Sequence, residues 1–218
     1  MQENLPDTQP NGYDKREIKF FSIMANICTT TYKVTGSHKA VNNLWNTFQK
    51  MEVNSKDVWL GDLAEHYGID YEKRQISVRG HVYYAGMADG GEKEDSLLTI
   101  ETETAWSGCH ALFHAINKKL KGGLSISYRE TESGCGIYYV HDEGDFFTEE
   151  CCVSSYGEPF DDACDDVYST VADAISEWCD KTGIEQGERT LEEMVDFING
   201  YEYENEDTYF YINLFEFE

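Results

Sequence analysis

Residues 96–130 read SLLTIETETAWSGCHALFHAINKKLKGGLSISYRE, and this stretch decides the fold. The β-branched opening SLLTIETETAW predicts a strand. Ser107 then starts a helix whose apolar positions Leu112, Phe113, Ile116 and Leu120 recur at helical spacing. Lys118, Lys119 and Lys121, followed by Gly122-Gly123, close that helix, because cations and glycine suit a helix C-terminus. LSISYRE predicts the return strand, and GIYYVHD, beyond a turn at Gly134, pairs with it.

The same logic stands upstream. NICTTTYKVTG predicts a strand ending at Gly36, and Ser37 caps a helix with Val41, Leu44, Trp45 and Phe48 inside. A short helical patch follows around Leu60, Leu63, Ala64 and Tyr67. QISVRGHVYYAG then places Ile76, Val78, Val82 and Tyr84 on one strand face, and the charged turn DGGEKED leads into residue 96. Two consecutive strand–helix–strand units predict an α+β protein with a ferredoxin-like, split βαβ core, its helices on one face of an antiparallel sheet. The boundaries read as a polar N-terminal arm at 1–23, the core at 24–155 and an acidic extension at 156–218. The arm holds two of the three prolines and lacks periodicity, which predicts mobility.

The extension is where the charge sits. The 218 residues carry 42 acidic and 17 basic side chains, a net charge of −25. From Tyr139 onward there are 24 acidic residues against two basic ones, Lys181 and Arg189, so −22 of that charge falls in the last 80 residues. DDACDDVYSTVADAISEWCD, residues 161–180, reads as one helix. Cys164, Val167, Val171, Ala174, Ile175 and Trp178 form its inner arc, while Asp166, Asp173, Glu177 and Asp180 fall within about 60° of Asp162. A second helix over 189–199 buries Leu191, Met194, Val195 and Ile198 and exposes Glu192, Glu193 and Asp196, with Thr190 and Glu193 at capping-box spacing. DTYFYINLFEFE predicts a closing strand.

A charge run is most simply a solvated face. Like charges one helical turn apart nevertheless cost a few tenths of a kcal/mol per pair, and no lysine or arginine is placed to offset them. A stripe of carboxylates at that spacing imitates a phosphate backbone and suits a basic groove. Cation binding and halophile-like solubility are the remaining uses of such a surface. The overall charge argues against direct binding of nucleic acid or anionic membranes. No run of about 18 apolar residues predicts a membrane span, and no leader reads as a signal peptide. Seven cysteines without framework spacing read as reduced thiols, as expected of a cytoplasmic protein. The vicinal pair Cys151-Cys152 is expected to split, one side chain in and one out.

Other chemistry is weakly signalled. Cys109, His110 and His114 share a helix, the nucleus of an alternative reading as a metal- or small-molecule-dependent enzyme, but no further ligand follows a zinc spacing. In His141-Asp142-Glu143-Gly144-Asp145 the glycine is out of register for a calcium loop. Phosphate-loop, nucleophile-elbow and dinucleotide fingerprints are missing. The sequence is therefore read as a non-enzymatic protein with no cofactor and no metal, and Trp106 as a core residue.

Three places carry a family resemblance. They are Met24-Ala25-Asn26 leading through a β-branched strand to Val34-Thr35-Gly36; the turn Thr104-Ala105-Trp106-Ser107; and the Leu-rich helix with the two strands that follow it. From Met24 to about Val153 the chain resembles the YubB-type ferredoxin-like domain family of uncharacterised plasmid and phage proteins. Gly108-Cys109 stands where that family usually has two prolines, and its W-G-x-K-W segment has no counterpart here. The resemblance implies a βαββαβ core and a mobile-genetic-element context, and it carries no catalytic residues. Together these readings give an acidic binding protein whose partner is a basic host protein, itself nucleic-acid-binding, met by Asp162, Asp166, Asp173, Glu177, Asp180, Glu192, Glu193 and Asp196.

Overall fold

The computed structural model describes residues 26–88 and 96–218. The arm at 1–23, the Met24-Ala25 part of the family signature and the DGGEKED turn lie outside the described residues.

The chain opens with β1 (Ile27–Gly36), whose alternation turns Cys28, Thr30, Tyr32 and Val34 inward. Gly36 is required where β1 ends. Its φ is 131°, and a Cβ there would lie 2.1 Å from the Gly123 carbonyl oxygen. α1 (His38–Met51) follows, with Ser37 Oγ accepting from Ala40 N and Val41, Leu44 and Phe48 buried. Then come β2 (Val58–Trp59), α2 (Leu60–His66), β3 (Gly80–Ala88), β4 (Leu97–Ala105), α3 (His110–Lys119), β5 (Leu124–Glu132) and β6 (Ile137–His141).

The second part holds β7 (Cys151–Tyr156), β8 (Ala163–Tyr168), α4 (Val171–Thr182), α5 (Leu191–Asn199), β9 (Tyr209–Leu214) and β10 (Glu216–Phe217). The result is an α+β fold with two sheets. Strands run β10-β6-β5-β1-β4-β3-β2 in the larger and β8-β7-β9 in the smaller. Every ladder is antiparallel except β10 on β6. Sheet membership changes between β6 and β7, and the boundary expected at residue 155 falls inside β7.

Three cores hold these layers. Helices α1, α2 and α3 pack on one face of the large sheet, enclosing Tyr32, Leu44, Phe48, Leu63, Ile100 and Phe113. Helices α4 and α5 cover the small sheet around Ile175, Trp178, Met194, Ile198, Phe210 and Ile212. Cys151 faces that second core, whereas Cys152 joins Val140, Phe147 and Phe215 in a third cluster. Both vicinal thiols are therefore buried, correcting the in–out expectation, because β7 has a core on each face. At the outer edge of β9 the Asn199 amide caps Ile212: Asn199 Nδ2 donates to Ile212 O at 2.9 Å, and Ile212 N donates to Asn199 Oδ1 at 2.8 Å.

Four local expectations need correction. Residues 161–180 are not one helix. Residues 163–168 form β8 against β7, and α4 starts at Val171 behind Thr170, whose Oγ accepts from Asp173 N. Tyr84 is exposed, because an extra residue in β3 between Val82 and Tyr84 shifts the phase and turns Ala85 inward. Leu191 is exposed at the first turn of α5. Trp106 is 46% exposed, in a left-handed turn whose N–H donates to Asn26 O, so it is not a core residue.

Candidate functional site

The eight carboxylates singled out by sequence do not form one stripe. Asp162 lies before β8 and accepts from Gly157 N at 3.4 Å. Asp166 is exposed on β8. Asp173, Glu177 and Asp180 share the outer face of α4, opposite buried Ala174, Ile175 and Trp178. β8 and α4 converge at Tyr168, whose hydroxyl donates to Glu177 Oε2. Burial, that hydrogen bond and the charges of Glu177 and Asp166 push the Tyr168 phenol well up. Glu192, Glu193 and Asp196 are exposed on α5, and Glu193 is committed to the capping box with Thr190. The structure thus places Asp166 and Glu177 about Tyr168 and Asp173, Glu177 and Asp180 on one face of α4, with Asp162 and the α5 set on other elements.

Both cations of this region are engaged. Lys181 Nζ lies 2.9 Å from Asp161 Oδ2, and the Arg189 guanidinium sits 4.3 Å from the centre of the Phe197 ring. Neither forms an ion pair with a carboxylate of the predicted set, although Lys181, one turn after Glu177 on α4, feels its charge.

The Cys109–His110–His114 group separates as well. Cys109 precedes α3, and its thiol donates to Ser77 Oγ at 3.7 Å. Burial pushes that thiol up, outweighing the Ser77 hydrogen bond. His110 turns instead to the sheet, where Nε2 lies 3.0 Å from Glu130 Oε2 and Nδ1 lies 3.1 Å from the Tyr32 hydroxyl. Glu130 also accepts from Gly108 N at 2.8 Å and from the Cys28 thiol at 3.6 Å. Burial alone would raise the Glu130 carboxyl; the His110 hydrogen bond and charge, with the Gly108 and Cys28 donors, hold it below the ordinary value. An ionised carboxylate can only accept, so His110 donates to it from Nε2, while its Nδ1 faces the Tyr32 hydroxyl.

The network continues outward through aromatic rings. His110 stacks on Tyr128 at 3.7 Å between centroids, and His141 lies over the same ring at 5.2 Å. His114 is near enough to feel both imidazoles, and its pKa is lowered by burial first and their charges second. Cys28 is sealed beside Glu130, where burial pushes its thiol up to about 12. A thiolate nucleophile is therefore not prepared at Cys28 or Cys109. No group of three or more His, Cys, Asp or Glu among the described residues is arranged to hold a metal ion. In the 141–145 segment, Asp142 accepts from Gly144 N and Phe147 N within its own turn.

Sequence reasoning missed Tyr32, Tyr128, Glu130 and His141. The signal was present in LSISYRE, where Glu130 takes the same inward phase as Leu124, Ile126 and Tyr128. No protein-family model, curated protein or solved structure matches the chain. Among the described residues no helix is long and apolar enough to cross a membrane.

Proposed function

We propose that this chain is a non-enzymatic acidic binding protein of a mobile genetic element, acting as an inhibitor that presents nucleic-acid-like charge to a basic host protein. In this reading the core is a ferredoxin-like, split βαβ domain and residues 156–218 are its acidic extension. The strand order β5-β1-β4-β3 supports the core assignment: the α1–β2–α2 segment carries the chain from β1 past β4 to β3, and α3 carries it from β4 past β1 to β5. The YubB-type resemblance supplies the mobile-element context.

The observation that carries the reading is the pairing in the acidic part. Lys181 is held by Asp161 and reaches Glu177 only through its charge, and Arg189 sits on the Phe197 ring, so neither cation forms an ion pair with Asp166, Asp173, Asp180, Glu192 or Asp196, which are exposed. Such a surface accelerates encounter with a basic groove and loses its reach as salt shortens the screening length to about 10 Å near 0.1 M.

Affinity capture from a bacterial lysate at low and moderate salt tests the proposal. The variant carries Asp166, Asp173, Glu177, Asp180, Glu192 and Asp196 as the amides. Wild type is expected to retain basic nucleic-acid-binding proteins that duplex DNA and salt release, and the variant is expected to lose them. Retention of the same proteins by both, or of none by wild type, refutes it.

A further inference from the structure

A cleft of about 470 Å³ opens beside β6, away from the acidic faces of α4 and α5, within the size range of small-ligand sites. Tyr128, Ile137, Tyr139 and Leu214 give it aromatic and apolar walls, and Glu130 and Glu216 give it charge. Among the described residues no lysine or arginine lines it.

Glu130 is what makes this cleft more than a surface hollow. The residue is 8% exposed, and all of its donors, from Cys28, Gly108 and His110, converge on Oε2. Among the described residues no donor reaches Oε1. Oε1 is not sealed from solvent, and Glu130 lines the cleft, so that oxygen stays free to accept from a donor entering it. One oxygen of a carboxylate already held in place by Oε2 is thus presented to the cleft. The walls specify the donor's charge. Tyr139 supplies a ring, and its hydroxyl is tied to Glu218. Tyr128 is fixed between His110 and His141, and its phenol is raised by burial and by the charges of Glu130 and Glu218. Aromatic faces backed by carboxylates attract cations, and more strongly where water is excluded.

We infer that this cleft binds an alkylammonium group, which sits against the Tyr139 ring and donates to Glu130 Oε1. The group is a free amine or a lysine side chain. The site shares no carboxylate with the proposed charge mimic, so each stands or falls separately.

The test follows the tyrosine ring signals by NMR during titration with n-butylammonium, with n-butanol as the uncharged control and N-acetyl-lysine methylamide as the side-chain probe. Variants are Glu130→Gln and Tyr139→Leu, with circular dichroism to check the fold. Both ammonium probes are expected to shift the Tyr128 and Tyr139 signals saturably, the tighter one naming the source, and butanol is expected to leave them in place. Tyr139→Leu, at the rim, is expected to weaken binding at least tenfold with the fold intact, as is Glu130→Gln. If Glu130→Gln unfolds, the Tyr139→Leu and butanol comparisons decide alone. Equal response to butanol, no saturable response, or full affinity in Tyr139→Leu overturns the inference.

Discussion

Glu130 is a carboxylate at an inward strand position, and its surroundings convert that liability into an anchor. Its Oε2 gathers Gly108 N, just ahead of α3, and His110 Nε2 in the first turn, tying the helix start to β5. Because its folded pKa is depressed, its stabilising effect is fully present above the ordinary carboxyl value near 4.5 and is lost as pH falls through the folded value. Glu130→Gln is therefore expected to cost about 2 kcal/mol at pH 7, where charge-assisted hydrogen bonds are lost. The gap to wild type should narrow below about pH 4.5. Urea unfolding of both proteins at pH 7 and below pH 4 measures it. A gap independent of pH would show that the ionised carboxylate is not what holds α3.

Among the elements, α4 carries one charge at odds with its dipole, beside the favourable Lys181 of the same last turn. Asp180 lies in its last turn, where the helix dipole disfavours an anion, and Asp173 and Glu177 stand on the same face. Asp180→Lys is expected to raise stability by about 0.5 kcal/mol at low salt. Under the proposed function it would at the same time weaken capture of the basic partner. A variant that is less stable in thermal unfolding would contradict the dipole argument. The order of the large sheet's elements was legible in the sequence because β1, α1, β4, α3 and β5 each hold one clean period over nine or more residues. β8 was not, since six residues are too few to separate period 2 from period 3.6, and Cys164 and Val167 fit an inner helical arc as well as a strand. The boundary was nevertheless written there: Thr170 and Asp173 have cap spacing, and the side chain of Thr170 does cap α4. The carboxylate patch was read as a stripe for that one reason. The His110–Glu130 network escaped because its members lie on β1, α3, β5 and β6, and strand pairing rather than spacing brings them together.

Across the whole molecule, the parallel contact of β10 with β6 sets the last strand apart. Parallel neighbours cannot be joined by a tight turn. Here the connection from His141 to Glu216 is the entire small sheet with α4 and α5. Glu218 N then donates to Val140 O at 3.0 Å, on the large sheet. That amide consequently acts as a gauge, mounted on one sheet, of whether the other is intact. Trp178→Ala, which empties the fully buried centre of the second core at a cost of about 3–5 kcal/mol, is expected to speed hydrogen exchange at Glu218. Tyr32 in the middle of β1 should stay protected. Equal acceleration at both amides would mean that the two sheets open as one. Otherwise the chain carries its own readout of partial opening, in which the acidic part can loosen on a partner while the large sheet keeps its shape.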